Sequence, residues 1–332
     1  MEKVSSKKVS IIIPTLNEEK YIEKCLNSLI ENDYENKEII IVDGLSTDNT
    51  KEIIDRIKNE NNNIDIKIID NELKITPVAL NIGIKEATGD YIMIAGAHTT
   101  YSKNYISACI KRLEENKCDI AGGLVITQPG KDTAIAKAIA NVLSHPFGVG
   151  GAKYRTCNEK EEYVDTVAYG IYKKEVFEKA GLFKPELKRN QDIEMNLRLK
   201  KIGMRIMLIP EAKSYYYARD NYNDLFKNNF LNGLWVILST HYSKKAYSIR
   251  HIVPLIFVLF LILGTIASIF SGIIRIPFLI ILSFYVFLSI FFSLKIAIKN
   301  KDFKLFFPML FSFWILHISY GLGSIYGLFL IL

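Results

Sequence analysis

The chain has 332 residues, of which 49% are hydrophobic and 23% are charged, and its formal net charge is +7. The lysines are scattered and form no patch interleaved with aromatic residues, so the charge favours a membrane surface or an anionic substrate, and no nucleic-acid partner is expected. The four cysteines show neither a CxxC pair nor metal-ligand spacing: Cys25, Cys109, Cys118 and Cys157. Reduced thiols in a cytosolic domain are therefore expected.

Four short runs rich in β-branched residues predict strands at residues 9–13, 38–43, 64–69 and 91–95. A helical pattern of apolar residues fills 15–32, where Thr15 and Glu18 match a capping box. A second helix follows the start signal Ser46-Thr47-Asp48. This alternation predicts an α/β domain of three layers around a mostly parallel sheet.

Polar residues follow the predicted strands at their carboxyl ends, where parallel sheets bind ligands. These residues are Pro14, Asn17 and Glu18 after the first strand, Asp43, Ser46 and Asp48 after the second, and Gly96 and His98 after the fourth. No GxGxxG follows the first strand, which disfavours a dinucleotide fold, and no GxxxxGK[ST] occurs, which excludes a P-loop. The pattern predicts a site without identifying its ligand.

From Ile252 onward the chain is strongly apolar, with stretches at about 252–270, 276–294 and 305–332. Each is near or above the roughly 20 residues that cross a bilayer. Lys244, Lys245 and Arg250 precede the first stretch, and a lysine-rich loop at 295–304 joins the last two. By the positive-inside rule these basic segments face the cytoplasm. We therefore expect a multi-pass protein of the cell membrane whose N-terminal 250 residues are cytoplasmic.

The expected domains are a cytoplasmic domain at 1–220, a juxtamembrane segment at 221–250 and a transmembrane region at 251–332. In the juxtamembrane segment, Phe226, Phe230, Leu234 and Ile237 recur at helical spacing. Two alternatives remain open for it: an amphipathic helix in the membrane interface, or a surface helix packed on the soluble domain.

Two segments, VSIIIPTLNEEKYIEKCLNSL and EIIIVDGLSTDNT, resemble the opening of family 2 inverting glycosyltransferases, which have the GT-A fold. LSHPFGVGGAKYRT, VDTVAYGIYKKEVFEKAGLF and RNQDIEMNLRLKKIGMRI resemble its succinoglycan-biosynthesis branch, which has C-terminal membrane spans and extends lipid-linked sugars for exopolysaccharide. The resemblance covers about residues 8–255. It implies inverting transfer of a sugar from a nucleotide-sugar donor, a UDP-hexose, to a polyprenyl-linked or glycan acceptor.

The resemblance assigns the donor pocket residue by residue. Asp43 resembles the carboxylate that accepts a hydrogen bond from uracil, and Pro14, Asn17 and Glu18 would line the same nucleoside pocket. Ser46 and Gly96 are assigned to nucleotide binding with them. From the residues alone, the favoured interpretations are a turn residue at a strand end for Asp43 and a helix-capping residue for Glu18.

Asp192, in the segment NQDIEM, resembles the catalytic base of the family, with Gln191 as a neighbour in acceptor binding. Inverting transfer is one in-line displacement, so a single base suffices to take the proton of the acceptor hydroxyl. Glu194 is the alternative base. Without the resemblance, the two carboxylates are equally an acidic first turn that stabilises a helix through its dipole.

At the metal-binding position the sequence departs from the family. Most members have Asp-x-Asp after the fourth strand, and the succinoglycan branch reads Asp-Ala-His, whereas this chain reads Gly96-Ala97-His98. Three outcomes follow: Mg²⁺ or Mn²⁺ held by His98, diphosphate and water; basic residues in place of the metal; or loss of activity. The last would leave a non-catalytic membrane binding or assembly subunit with a decayed metal site.

Three basic residues are further candidates. Arg219 would bind the donor diphosphate or pair with phospholipid. Lys153 and Arg155 follow a loop at 146–151 and would meet the phosphate of a lipid-linked acceptor, although a tight structural turn explains that segment equally well. The Gln-x-x-Arg-Trp motif of processive relatives is absent from the sequence, which favours addition of one sugar.

Overall fold

The computed structural model describes residues 7–156, 160–242 and 249–331. These residues form two compact units: Met1–Ile126 with Cys157–Tyr216, and Thr127–Thr156 with Tyr217–Leu332. Cys157, Lys244 and Lys245, which entered the predictions above, lie outside the described residues, as does the side chain of Arg250. The three cysteines that are described, Cys25, Cys109 and Cys118, are free and buried, as expected for reduced thiols.

In the part of the chain that the structure describes, nine strands alternate with helices. The strands are β1 (Val9–Thr15), β2 (Lys37–Asp43), β3 (Asp65–Asp70), β4 (Tyr91–Ile94), β5 (Thr99–Tyr101), β6 (Ile120–Gln128), β7 (Glu162–Tyr163), β8 (Ile171–Lys173) and β9 (Ile206–Tyr217). The helices are α1 (Ile22–Ile30), α2 (Thr50–Glu60), α3 (Thr76–Glu86), α4 (Tyr105–Glu114), α5 (Ala134–Val142), α6 (Pro146–Val149), α7 (Glu175–Ala180), α8 (Gln191–Lys201), α9 (Tyr222–Tyr242), α10 (Ile249–Phe270), α11 (Gly272–Lys299) and α12 (Phe306–Ile331).

The sheet has the order β3-β2-β1-β4-β8-β6-β9-β5, and β7 pairs with β9. The four predicted strands are present and parallel to one another. Beyond β4 the sheet becomes mixed, because β8 runs antiparallel to β4 and to β6, and β9 runs antiparallel to β5 and β7. The α/β class is as predicted, and the antiparallel half was not foreseen.

The strand β1 shows why the sheet is covered on both faces. Ile11 and Ile13 belong to the core formed with α1, α2 and α4. Ile12 points the other way, where Gly83 of α3 lies so close that an added Cβ would be 2.4 Å from the Ile12 side chain. Since alternate residues of a strand face opposite sides, a continuous apolar run requires a helical layer on each face.

The predicted capping box is wrong. Thr15 lies inside β1, where its hydroxyl donates to the carbonyl of Ile13 at 3.2 Å. The helix α1 begins only at Ile22, and no side chain caps it. Thr15 belongs to the strand because the parallel register of β1 and β2 continues to the pair Thr15–Asp43. The side chain of Glu18 therefore does not cap α1.

A buried carboxylate stabilises the sheet at the start of β2. The side chain of Glu38 is fully buried and accepts hydrogen bonds from Ser10 at 2.6 Å, from Thr88 at 2.8 Å and from Lys8 at 2.9 Å. Burial acts to raise the pKa of Glu38, but these hydrogen bonds outweigh it and hold the pKa below its ordinary value.

We expect Glu38→Gln to destabilise the protein by about 3–5 kcal/mol, because an amide would turn its N–H₂ group towards donors that now meet an anion. The thermal midpoint of the detergent-purified protein should fall by at least about 6 °C. Glu72→Gln, at an exposed glutamate after β3, is the matched control and should leave the midpoint unchanged. Equal midpoints for both variants would contradict a stabilising role of the buried carboxylate.

In the second unit, three helices of the described chain are long and apolar enough to cross a membrane: His251–Phe270, Gly272–Lys299 and Phe303–Ile331. Many of their large apolar side chains are exposed, among them Phe270, Ile273 and Phe329. The connections are shorter than the sequence indicated, because α11 begins directly after Ser271 and continues to Lys299.

The helix α9 packs along α12 through glycines. A Cβ on Gly323 would lie 1.9 Å from the carbonyl oxygen of Phe230, and a Cβ on Gly233 would lie 2.0 Å from that of Tyr320. Only glycine permits such an approach of two helix backbones. Of the apolar residues predicted to share one face of this segment, Leu234 and Ile237 are buried, whereas Phe226 is exposed. Neither predicted alternative, an interfacial helix or a helix packed on the soluble domain, included α12 as a partner. The helix α9 packs on this apolar helix of its own unit.

Candidate active site

The loops after β1 and β2 are joined by side-chain hydrogen bonds. The amide N–H of Asn17 donates to Ser46 Oγ at 2.8 Å, and the amide N–H of Thr47 donates to Asn17 Oδ1 at 2.8 Å. Asn17 has φ of 54°, a left-handed conformation that asparagine tolerates better than most residues. Pro14 lies in β1 beside Val42 of β2, one residue before the strand ends. The predicted nucleoside residues therefore lie along one edge of the sheet.

Asp43 organises this edge. Its side chain is fully buried, Ser46 donates to its two oxygens through Oγ at 2.5 Å and through N–H at 2.8 Å, and Lys51 Nζ lies 3.5 Å away. A carboxylate has about four acceptor sites, so Ser46 and Lys51 occupy three of them. Lys51 also bonds Asp70 at the end of β3, and that hydrogen bond raises the pKa of Lys51.

Gly96 lies directly after β4, and the space where a side chain would stand is filled. A Cβ there would be 2.8 Å from Cε1 of Tyr169, closer than non-bonded carbon atoms approach. The ring of Tyr169 is fixed by a hydrogen bond from Thr99 Oγ1 to its hydroxyl at 2.9 Å, and its backbone carbonyl accepts from Tyr105 at 2.9 Å. The position of Tyr169 beside Gly96 was not predicted, because nothing in the spacing of Tyr169 connects it to residue 96.

His98 contacts Glu18. Their Nδ1 and Oε1 atoms are 3.1 Å apart, and the two side chains are 30% and 22% exposed. The ring of Tyr216 meets the imidazole edge to face, with centroids 5.3 Å apart. His98 was predicted as a metal ligand and Glu18 as part of the nucleoside pocket. The structure brings their side chains together.

In the part of the chain that the structure describes, no group of three or more His, Cys, Asp or Glu side chains is arranged to hold a metal ion. A fully protein-built metal cage is therefore absent from the described residues. The carboxylate of Glu18 and the imidazole of His98 are nevertheless donors that suit Mn²⁺, and Mg²⁺ commonly uses one or two carboxylates together with substrate phosphates. The donor set fits a cation that the diphosphate helps to hold.

The two candidate bases in α8 differ in environment. Asp192 is exposed in the first turn, directly after Gln191. Glu194 is 2% exposed and is held by Arg198 at 2.9 Å and Lys184 at 3.5 Å. Burial raises the pKa of Tyr172, and the charge of Asp192 raises it further. Glu194 thus has a structural role, and Asp192 is the carboxylate that an acceptor can reach.

The three basic candidates belong to the second unit. Arg219 is exposed just after β9, and Lys153 is exposed after α6. Arg155 lies with its guanidinium 5.5 Å from the ring centroid of Tyr154 and bonds Thr127 Oγ1 at 3.4 Å. The segment predicted as a loop is partly a one-turn helix, Pro146–Val149, because proline suits the first helical position.

His317 anchors this short helix to the apolar helices of the same unit. Its Nε2 lies 2.9 Å from the carbonyl oxygen of Phe147, and its Nδ1 lies 2.7 Å from the hydroxyl of Tyr285. A carbonyl only accepts, so Nε2 carries a proton and donates to Phe147. The sequence places His317 within the third apolar stretch but does not indicate these partners.

A polar edge at the carboxyl ends of parallel strands, together with an exposed carboxylate at a helix start, fits the site of a glycosyltransferase. The chain belongs to glycosyl transferase family 2, whose model matches residues 10–181. It is 36% identical over 231 residues to the dolichyl N-acetyl-alpha-D-glucosaminyl phosphate 3-beta-D-2,3-diacetamido-2,3-dideoxy-beta-D-glucuronosyltransferase of Methanococcus voltae, covering 68% of this chain and 71% of that protein. It is 29% identical over 233 residues to the succinoglycan biosynthesis protein ExoA of Rhizobium meliloti, covering 69% of each.

Solved structures show the same fold. The mannosyltransferase PcManGT from Pyrobaculum calidifontis, in complex with GDP-Man and Mn²⁺, matches with a TM-score of 0.65 and 15% identity over 97% of this chain and 88% of that one. S. aureus TarS 1-349, in complex with UDP-GlcNAc, matches with a TM-score of 0.52 and 20% identity over 69% of this chain and 66% of that one. The predicted GT-A fold and the glycosyltransferase class are thereby confirmed.

Proposed function

We propose that this family 2 glycosyltransferase is anchored in the cell membrane and transfers one sugar, with inversion, from a UDP-hexose to a polyprenyl-linked acceptor in the assembly of a cell-surface glycan. The observation that carries the proposal is the joined edge of Asn17, Ser46 and Asp43 at the carboxyl ends of β1 and β2. The named relatives support the acceptor class, since one acts on a dolichyl phosphate sugar and another in succinoglycan biosynthesis.

On the donor side, Asp43 accepts a hydrogen bond from the imide N–H of uracil, while Pro14 and Asn17 shape the wall of the pocket. Glu18, Ser46 and Gly96 complete the nucleotide site. A divalent cation, Mg²⁺ or Mn²⁺, supplies positive charge to the diphosphate leaving group when it is bound, with His98 as a ligand. Arg219, which is exposed, adds a charge-assisted hydrogen bond to the same anion.

On the acceptor side, Asp192 accepts the proton of the attacking hydroxyl as the new glycosidic bond forms and the bond to the nucleotide breaks. Gln191 holds the acceptor next to this carboxylate. Lys153 and Arg155, which follow the helix anchored by His317, pair with the phosphate of a lipid-linked acceptor. The apolar helices keep the enzyme at the membrane that contains such lipids, which raises their effective concentration. We place residues 1–220 in the cytoplasm, residues 221–250 at the membrane and 251–332 across it.

The test is UDP release by the detergent-purified full-length protein, measured with several UDP-sugars in the presence and absence of a membrane lipid extract. Turnover that requires the extract supports the proposed acceptor class. Turnover only with a GDP-sugar would overturn the choice of nucleotide. UDP binding without turnover on any donor would favour a membrane binding or assembly subunit, the second function that the loss of a carboxylate at Gly96 suggests.

We expect Asp43→Asn to weaken UDP binding by roughly 10–100-fold, the effect of losing about 1.5–3 kcal/mol from a hydrogen bond to a charged group. Isothermal titration calorimetry with UDP measures the change. Asp70→Asn is the matched control, because Asp70 ends the neighbouring strand and shares Lys51 but is 56% exposed. Equal UDP affinity in wild type and Asp43→Asn would contradict the assignment of Asp43.

A further inference from the structure

We infer that Glu18 and His98 together form the divalent-cation site, so that the carboxylate missing at residue 96 is supplied from the loop after β1. The inference rests on the proposed function, because the cation would be shared with the diphosphate of a nucleotide-sugar donor. In this site the protein would supply two ligands, the carboxylate of Glu18 and the imidazole of His98. The observations that carry it are the contact between these side chains and the closed space at Gly96.

The fold brings the two residues together from different parts of the sequence. β1 and β4 are adjacent parallel strands, paired as far as Ile12 with Ile94, so the segments that follow them leave the same edge of the sheet. The backbone of Glu18 is held there, because its N–H donates to Thr50 Oγ1 at 2.8 Å and its carbonyl accepts from Tyr21 and Ile22 at 2.9 Å. Its carboxylate is thus presented to His98 by a fixed piece of main chain.

The separation of the donor atoms suits one shared ion. Donor atoms in contact with each other can be ligands of the same cation, since each protein ligand lies within about 2.0–2.6 Å of its ion. Glu18 Oε1 and His98 Nδ1 are 3.1 Å apart. Both side chains are partly exposed, so phosphate oxygens and water can complete the coordination. A carboxylate with an imidazole favours Mn²⁺ over Mg²⁺, which prefers oxygen ligands alone.

Residue 96 is closed to a third ligand. An aspartate there would have to displace the ring of Tyr169, which Thr99 holds by a hydrogen bond of 2.9 Å. The packing around β4 therefore leaves no space for a carboxylate at residue 96. Replacing Gly96 alone does not create a metal ligand there. A cation site in this chain needs its carboxylate from another strand end, and Glu18 is in contact with the remaining histidine.

Cation binding and the observed hydrogen bond exclude each other. An ionised carboxylate only accepts, so in the free protein Nδ1–H of His98 donates to Glu18. A cation held by Nδ1 would require the imidazole proton to reside on Nε2. The hydrogen bond keeps both side chains in position, which would reduce the ordering that cation binding requires.

The experiment is a titration of the full-length detergent-purified protein with Mn²⁺, in which electron paramagnetic resonance measures the free ion, with and without UDP. We expect wild type to bind one Mn²⁺, and both Glu18→Gln and His98→Gln to lose at least about tenfold in Mn²⁺ affinity. Glu19→Gln is the matched control, since this neighbouring carboxylate bonds Asn49 and should leave the affinity unchanged. Thermal midpoints verify that the variants are folded, and each variant tests the site independently of the other.

Unchanged Mn²⁺ affinity in either folded variant, or no Mn²⁺ binding by wild type with UDP bound, would overturn the inference. UDP binding measured in EDTA separates this result from a failure of the proposed function. If UDP binds in EDTA and Mn²⁺ affinity is insensitive to Glu18 and His98, the nucleotide assignment stands and the cation site is wrong. If UDP binds under no condition, the proposed function is contradicted, while the titration without UDP still decides for or against the Glu18–His98 site.

Discussion

Asp192→Asn is expected to lower kcat by roughly 10²–10⁴-fold, the usual contribution of a positioned general base, with little change in UDP affinity. The amide keeps the size of the side chain but cannot take the proton of the acceptor hydroxyl. Asp192 is exposed at the start of α8, so the substitution should not disturb folding. Single-turnover measurement of UDP release, with the lipid extract as acceptor, reports the chemical step.

The control for this prediction is Glu178→Gln, which removes an exposed carboxylate from α7 in the same unit. It should retain full turnover. A second comparison is Glu194→Gln, which should lower the thermal midpoint because Glu194 is buried and paired with Arg198 and Lys184. Wild-type turnover in Asp192→Asn, or a matching loss of UDP affinity, would assign the base to another residue.

Gly323→Ala is expected to prevent normal packing of the second unit, with a loss of about 3 kcal/mol or more in stability. The added Cβ would lie 1.9 Å from the carbonyl oxygen of Phe230, and a backbone atom cannot move aside as a side chain can. The yield of monodisperse protein in detergent and its thermal midpoint should both fall.

Gly272→Ala provides the matched substitution, because nothing lies within 4 Å of a Cβ at that glycine. It should be neutral or slightly stabilising, since alanine favours the helix. If both variants retain the wild-type midpoint, the close approach of α9 and α12 is not what stabilises this unit.

The parts of the fold that could be predicted are those encoded by local patterns. The apolar runs that became β1, β2 and β4 are buried on both faces, and this requirement is visible in composition. Three antiparallel strands, β5, β7 and β8, were not predicted because they have only two or three residues each. The longer strands β6 and β9 were not predicted either. The pairing of the short strands depends on partners far along the chain, such as β9.

The candidate site divides in the same way. Asp43, Asn17 and Ser46 follow strand ends in sequence, so parallel pairing alone brings them together. Asp192 was identified through the resemblance. The roles of Asp192 and of the other site residues stay predictions. The closed space beside Gly96 could not be predicted, because the ring that fills it belongs to Tyr169, which follows Gly96 by more than 70 residues and is positioned by contacts with Thr99 and Tyr105. The anchor from His317 to Phe147 likewise joins segments with no common pattern.

The glycine contacts of α9 with α12 also determine the order in which this protein can be completed. Residues 243–305 separate the two helices, so α9 leaves the ribosome well before its partner is made. At about 5–20 residues per second, the surface around Gly233 stays uncovered for several seconds while α10 and α11 are synthesised. The second unit therefore closes only when its last helix arrives. A ribosome that stalls in this interval leaves a chain whose catalytic strands are complete but whose α9 has no partner, a species that quality-control proteases should recognise.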